Sequence, residues 1–306
     1  MKCTVFCDSS KRKCIREVQQ MIKLLAVDMD GTCLDGRSRI TDGTIRALRD
    51  AAAAGITVVP TTGRSMACIP HRLAAGTLRK NIAGYRKADE DIRQNQGLFR
   101  YVITSNGAQV TDIREKKEIF QEMIPRDSAL ALLEACRRIR LGVTSHIDHE
   151  YLLQGRILVL LGHLVYGKDA GAVRWVRDMS ETVKKSRYEV EELQFYFMSP
   201  SARECVQKVL AGFPELSAAY TRMYVEVFAA EASKGNALRA LSEYLGIEKE
   251  EVACIGDGEN DLSMFRAAGL KIAMGNAVPE LKKEADVITG SNDRDGVAEA
   301  VRRYIL

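Results

Sequence analysis

Short apolar runs that end on small or polar residues mark the first part of the chain. Leu24-Leu25-Ala26-Val27 follows Lys23 and gives way to Asp28-Met29-Asp30-Gly31-Thr32. A continuous apolar run of this kind reads as a strand buried on both faces of a parallel sheet. Ile56-Thr57-Val58-Val59 is rich in β-branched residues and leads to Thr61-Thr62-Gly63-Arg64; Tyr101-Val102-Ile103-Thr104 ends at Ser105-Asn106-Gly107-Ala108. Between the first two runs Ile45, Leu48, Ala51 and Ala52 recur at helical spacing, with Thr41 as N-cap and Gly55 as the stop. A second helix is expected from about Ser65, with Pro70 in its first turns, and residues 79–96 read as a helix end plus a polar connection. Strand-to-polar-loop units repeated in this way predict an α/β core.

The middle of the chain changes period. Lys117 to Met123 reads as a strand, Pro125 to Ile139 as a helix, and Val143–Ile147 with Tyr151–Leu153 as a hairpin around Asp148-His149-Glu150. Helices are expected at 169–184 and 201–211, and strands at 193–198 and 222–228. Hairpins mixed with helices predict an inserted α+β module over 113–228. The parallel pattern then resumes. Ser233-Lys234-Gly235 opens a helix containing Ala237, Leu238, Leu241 and Leu245, with Gly246 after it. Val252-Ala253-Cys254-Ile255 is a strand ending in Gly256-Asp257-Gly258-Glu259-Asn260-Asp261, followed by a helix to Ala268, short strands near 271–274 and 286–288, and a last helix from about Asp295. The expected organisation is an α/β core of residues 23–112 and 229–306 interrupted by the insert, with an N-terminal extension, 1–22, that has no clear period.

Composition narrows the class. A chain of 306 residues is long enough for two domains and a substantial core. Net charge is +4 and the basic residues are dispersed apart from Lys11-Arg12-Lys13, which reads as a solvated face, so nucleic acid is not an expected partner. The apolar run from Ile157 to Leu161 and on to Tyr166 is interrupted by His163 and is too short to span a bilayer; residues 1–14 lack the apolar core of a secretory signal. Eight cysteines without a Cys-x-x-Cys pair suggest a reduced, cytoplasmic protein, and Cys3, Cys7 and Cys14 have no histidine or fourth cysteine nearby to complete a metal site.

The candidate chemistry sits where strands end. In open α/β sheets the carboxyl edge of the strands is where ligands bind. Asp28 and Asp30 at such an edge can meet one cation, or divide a nucleophile's task from an acid's. Calcium-loop readings fail: the glycine and glutamate required at loop positions six and twelve are Cys33 and Arg39 after Asp28, and position six after Asp257 is Leu262. A dinucleotide fingerprint fails because its third glycine is Asp261, and no Walker-type loop occurs. Taken singly, Thr62 reads as a helix cap, Lys234 as a solvated lysine and Asp257-Gly258 as a turn. Taken jointly, Asp28 with Asp30, Thr62, Lys234, and Asp257 with Asp261 all lie at strand ends or a helix start of one core, which points to one shared site.

Asp28–Thr32, Thr61–Arg64, Ser105–Ala108, Ser233–Leu238 and Gly256–Asp261, in this order, resemble the haloacid dehalogenase superfamily, and more narrowly its Cof-type phosphatases with a large α/β cap (type IIB) inserted after the third strand. The resemblance implies a Rossmann-like core, Mg²⁺ dependence and an aspartyl-phosphate intermediate. It implies Asp28 as nucleophile, Asp30 as the acid that protonates the leaving alcohol and then activates water, and Thr62 and Lys234 as ligands of the phosphoryl oxygens. Asp257 would hold the metal with Asp28 and the backbone carbonyl of Asp30, Asp261 would support it, and Gly63, Arg64, Asn106 and Asn260 would face substrate or phosphate. Cys33 and Pro60-Thr61 depart from the usual residues without removing a functional group. The implied activity is hydrolysis of small phosphorylated metabolites, sugar phosphates foremost. A phosphotransferase or mutase, or a non-catalytic sensor of a phosphorylated ligand, are the rival readings. Specificity is expected in the insert, where His146, His149, Glu150, Arg156 and Tyr196 are candidates; His146-x-x-His149 is expected to be a solvated hairpin tip rather than a metal site.

Overall fold

A computed structural model describes residues 22–69, 98–155 and 173–306. The extension 1–21, the expected helix beyond Ile69, the connection 79–96, Arg156 and the apolar run 157–166 lie outside the described residues. The elements in chain order are β1 (Leu24–Asp28), α1 (Asp42–Ala53), β2 (Thr57–Thr61), β3 (Tyr101–Thr104), β4 (Gln109–Asp112), β5 (Lys117–Gln121), α2 (Arg126–Cys136), β6 (Leu141–Ile147) and β7 (Glu150–Gln154). They continue with β8 (Val173–Val176), α3 (Met179–Lys185), β9 (Glu192–Phe197), α4 (Ala202–Leu210), β10 (Leu216–Tyr220), β11 (Tyr224–Ala229) and α5 (Lys234–Leu245). The chain ends with β12 (Val252–Gly256), α6 (Leu262–Ala267), β13 (Leu270–Ala273), α7 (Pro279–Glu284), β14 (Val287–Ile288) and α8 (Gly296–Ala300). No helix among the described residues is long and apolar enough to cross a membrane.

The chain forms two compact units, one from the described residues within 1–61, 98–101 and 238–306, the other from those within 62–97 and 102–237. In the first unit the strand order is β14-β13-β12-β1-β2, all parallel. β1 and β12 are fully buried along their length, as expected of strands in the middle of a covered parallel sheet. β2 continues over Pro60, which stands opposite Val27, to Thr61. Proline is rare in such a position because it brings no N–H to the ladder. Thr41 caps α1 as its spacing predicts, its hydroxyl accepting from Thr44 N–H at 3.1 Å.

In the second unit a six-stranded sheet of order β10-β11-β9-β6-β7-β8 is antiparallel except at its β7–β8 edge. α2, α3 and α4 bury one of its faces: Leu132, Met179 and Val206 pack with Leu193, Phe195, Val225 and Val227. Alternation in the strands then puts Glu192, Gln194 and Tyr196 of β9 and Glu226 of β11 on the opposite face. The helix expected over 169–184 is instead β8 followed by α3. Val173-Arg174-Trp175-Val176 is β-branched and aromatic, and pairs with β7 from Tyr151 to Gln154; Asp178 then caps α3 by accepting from Glu181 N–H at 2.9 Å. β4, β10 and α7 have no counterpart in the sequence reading.

Candidate active site

In the first unit, β1 and β12 run side by side in the same direction, so the segments that leave them emerge at the same edge of the sheet. Asp28 closes β1 and is 5% exposed; Asp257 follows β12. Oxygens of Asp28, Asp257 and Asp261 lie within 4.8 Å of one another. The turn after Asp28 requires glycine twice over. Gly31 has φ +79°, and a Cβ there would stand 2.3 Å from Asp257 Oδ2. Thr32 Oγ1 donates to Asp257 Oδ1 at 2.9 Å, and Asn276 Nδ2 donates to the Gly31 carbonyl at 2.8 Å, so this turn and the Asp257 carboxylate hold each other in place. Asp261 is fully buried, and its Oδ2 accepts from the N–H groups of Asp257 at 2.9 Å and Gly258 at 3.0 Å. It therefore fixes the turn that carries Asp257. Asp30 and Asn260 are exposed beside these groups in sequence. Burial, then the Asp28 and Asp30 carboxylates, push the Cys33 thiol up, so it stays protonated and fills space rather than reacting.

The donor set fits a hard divalent cation. It consists of carboxylate oxygens from two adjacent strand ends, the chemistry that Mg²⁺ accepts alongside water and phosphate.

The second unit gathers Thr62, Gly63, Arg64, Asn106 and Lys234. The Thr62 N–H donates to the Ile103 carbonyl at 2.9 Å, and its own carbonyl accepts from Asn106 N–H at 3.1 Å. Thr62 Oγ1 accepts from Arg64 N–H at 3.0 Å, and the Arg64 carbonyl accepts from Ser105 N–H at 3.0 Å. The segment after β3 thus wraps the Thr62–Arg64 loop, with Ser105 and Asn106 both at positive φ. A Cβ on Gly107 would meet the Ser233 carbonyl carbon and oxygen at 2.2 Å and the Lys234 nitrogen at 2.6 Å, so only glycine lets this turn approach the start of α5. Ser233 Oγ caps α5 by accepting from Asn236 N–H at 3.1 Å, and Lys234 is among the largest fully buried side chains.

The sequence reading missed two carboxylates on this cluster. Asn106 Nδ2 donates to Glu192 Oε2 at 3.1 Å and to Glu226 Oε2 at 3.0 Å. Gln194 Nε2 donates to the other Glu192 oxygen at 2.6 Å. Burial, and then the Glu226 carboxylate, hold the Glu192 carboxyl well above the usual carboxylate range. Polar residues at every second position of β9 were the available signal. His146 corrects an expectation: it is not at a solvated tip but buried in β6, and burial lowers its pKa to about 3. Its Nδ1 lies 3.1 Å from Ser105 Oγ, whose proton goes to Glu191 Oε2 at 2.7 Å, so the imidazole donates to the hydroxyl. His149 is on the turn, and Glu150 pairs with Arg174 at 2.9 Å.

Comparison with known proteins accounts for this arrangement. Residues 25–301 match the family described as haloacid dehalogenase-like hydrolase. A Streptococcus pyogenes protein that carries a phosphatase name is 30% identical over 305 residues, covering 93% of this chain and 99% of its own. A Bacillus subtilis 5-amino-6-(5-phospho-D-ribitylamino)uracil phosphatase is 29% identical over 287 residues, covering 93% and 96%. The solved structure of a haloacid dehalogenase subclass IIB sugar phosphatase matches with a TM-score of 0.73 at 25% identity, over 93% of this chain and 100% of that one. With strand-end carboxylates on a parallel α/β sheet and this similarity along nearly its whole length, the chain belongs to the haloacid dehalogenase-like hydrolases and is a phosphatase with a Rossmann-like core and an added cap.

Proposed function

We propose that the enzyme hydrolyses monoesters of small phosphorylated metabolites, sugar phosphates foremost, in a Mg²⁺-dependent reaction through a phosphoaspartate on Asp28. The observation that carries this reading is the meeting of Asp28, Asp257 and Asp261 at two parallel strand ends, with Asp30 two residues further on. A sugar phosphatase among the solved structures it resembles supports the substrate class.

In the first step a carboxylate oxygen of Asp28 forms a bond to phosphorus. The bond from phosphorus to the leaving oxygen breaks, and the alcohol takes the proton of Asp30. In the second, the Asp30 carboxylate accepts a proton from water, the water oxygen bonds to phosphorus, and Asp28 and inorganic phosphate are released. Acid–base help of this kind is worth ~10²–10⁴-fold. Thr62 and Lys234 bind phosphoryl oxygens, with Gly63, Arg64, Asn106 and Asn260 serving phosphate or substrate. Asp28, Asp257 and the Asp30 carbonyl would hold Mg²⁺, supported by Asp261, and the ion would supply charge neutralisation to the phosphoryl group. Positioning and charge make up most of phosphoryl-transfer catalysis, which suits so sparse a set. Residues 23–112 and 229–306 form the catalytic body in this reading, and 113–228 the insert that selects substrate. Free thiols at Cys33, Cys68, Cys136, Cys205 and Cys254 support a cytoplasmic setting.

The test is phosphate release from a panel of sugar phosphates, nucleotides and phosphoglycolate, after metal removal and again with Mg²⁺. Sugar phosphates should be turned over fastest, and only with metal restored. Equal activity in Asp28→Asn would overturn the covalent route. Transfer to an added alcohol in preference to water would make the enzyme a phosphotransferase.

A further inference from the structure

The second unit holds a cavity of about 360 Å³, within the range of small-molecule sites, that none of the proposed catalytic roles uses. Gln109 and Glu191 form its buried floor, and Glu118, Asp148, Tyr188 and Glu189 stand at its exposed rim. Gln109 is only 3% exposed, yet its side-chain carbonyl Oε1 has no hydrogen-bond partner. His149, on the same wall, has a buried Nδ1 that is likewise without one. An acceptor buried without a partner loses its hydration with nothing in return, a loss that a ligand N–H would recover.

We propose that this cavity is a binding site for a small organic cation that presents ammonium or guanidinium N–H donors. The acceptors and charges agree on that class. Among the described residues that line it, the carboxylates of Glu118, Asp148, Glu189 and Glu191 outnumber the one arginine, Arg187, with Arg174 acting on Asp148 from nearby, so an anion is disfavoured. Glu191 stays in place because it accepts from His149 N–H at 2.8 Å and from Ser105 Oγ at 2.7 Å. The His149 ring is turned so that Nε2 lies 3.7 Å from Glu118 Oε1, which leaves Nδ1 to accept from a ligand. Tyr188, 55% exposed, adds an aromatic wall of the kind that attracts organic cations. Asp148 and His149 are both held at positive φ, 53° and 63°, a conformation that fixes the turn carrying these two side chains. Burial, and the Glu118 carboxylate, raise the Asp148 carboxyl against the opposing pull of His149, a hydrogen bond from Tyr188 and Arg174, and a bound cation would add to that pull. A bare metal ion fits less well. Among the described residues only the Asp28 group has ligand atoms close enough to share one ion, whereas an extended cation can span the distance from Gln109 to the rim.

The experiment is calorimetric titration of the full-length protein with putrescine and, separately, agmatine at constant ionic strength. Glycerol and inorganic phosphate serve as neutral and anionic comparators. Saturable binding of a cation is expected in the wild type. Glu118→Gln, Asp148→Asn and Gln109→Leu should each weaken it about tenfold or more while hydrolysis of an aryl phosphate stays unchanged. Asparagine tolerates the left-handed conformation at 148 and Glu118 is exposed, so these two variants should melt as the wild type does without ligand. Absence of saturable binding by either cation, or undiminished affinity in both Glu118→Gln and Asp148→Asn, overturns the proposal. So does tighter binding of phosphate that competes with putrescine. The readout is binding, so it stands whether or not the proposed substrate class is correct.

Discussion

At the residue scale the proposed route gives Asp28, at the end of β1, and Asp30 different tasks, and substitution separates them. Asp28→Asn replaces the phosphoryl acceptor with an amide and should remove turnover altogether. Asp30→Asn keeps the acceptor and loses the proton donor, so kcat should fall by about 10²–10⁴-fold with the melting temperature unchanged. Phosphate release together with a thermal melt decides both, and full activity in either variant contradicts the assigned role. His146 gives a prediction of a different kind. Its pKa is about 3 in the folded protein against 6.5 ordinarily, because burial disfavours the imidazolium. Between those values the unfolded chain binds a proton that the folded chain does not. Its contribution is therefore complete above pH 6.5 and is lost as pH falls, at about 1.4 kcal/mol per unit. Glu192 acts in the opposite sense, since its raised pKa makes the folded state bind the extra proton. Urea melts at pH 7.5 and 5 should show a shallower acid loss in His146→Gln than in the wild type. Equal slopes would mean that the imidazole takes up its proton alike in the folded and the unfolded chain. The grouping of Asp28, Asp257 and Asp261 was legible in the sequence because each lies in a short local motif at a strand end. Buried His146 was not, because two histidines around a polar turn look solvated until the partner strands are in place.

At the element scale, the segment after β3 passes against the start of α5 with no room to spare at one glycine. Gly107 has φ +96° and no room for a Cβ beside the Ser233 backbone. Gly55 has φ +90° and open space around it. Gly55→Ala should therefore cost only the left-handed strain, roughly 1–2 kcal/mol. Gly107→Ala should cost more and, by moving the Ser233–Lys234 backbone, raise KM for every substrate. A loss no greater than that of Gly55→Ala would show that the approach to α5 is loose. The polar face of β9 and β11 supplies the second prediction at this scale. Glu192 and Glu226 hold Asn106 from 86 and 120 residues away in the chain, and no local pattern announces such a contact. Glu226→Gln should change relative rates among sugar phosphates more than the rate on a small aryl phosphate. Equal loss on all substrates would make the contact purely structural. The same dependence on distant partners explains β8. Val173 and Val176 sit at helical spacing, and it is the β7 edge that draws the segment into the sheet. The parallel strands were easier to read, since a run such as Leu24–Val27 is apolar throughout whatever lies beside it.

At the scale of the whole molecule the question is how much chain the enzyme requires. The family match begins at residue 25, and no role has been assigned to any residue before Asp28. Residues 22 and 23 are nevertheless part of the fold. Ile22 is 6% exposed, the Lys23 N–H donates to the Glu251 carbonyl at 2.8 Å, and the Lys23 carbonyl accepts from Thr57 N–H at 2.8 Å. Those bonds extend the β1 ladder by a residue on both sides, toward β12 and toward β2. Burial of an isoleucine side chain contributes about 1.5–3 kcal/mol, whereas the Lys23–Glu251 ion pair, with the lysine side chain 60% exposed, contributes little. A chain beginning at Met21 keeps all of these contacts, and should match the full chain in kcat/KM and in melting temperature. A chain beginning at Leu24 loses Ile22 and both ladder bonds, and should melt several degrees lower while its kcat stays close to normal, because Asp28 remains anchored by β12. Thermal melts and phosphate-release assays on the three lengths test this directly. Lower activity in the Met21 chain, at unchanged melting temperature, would show that residues 1–20 contribute to the site. A Leu24 chain as stable as the full one would show that β1 needs no support before its first apolar residue.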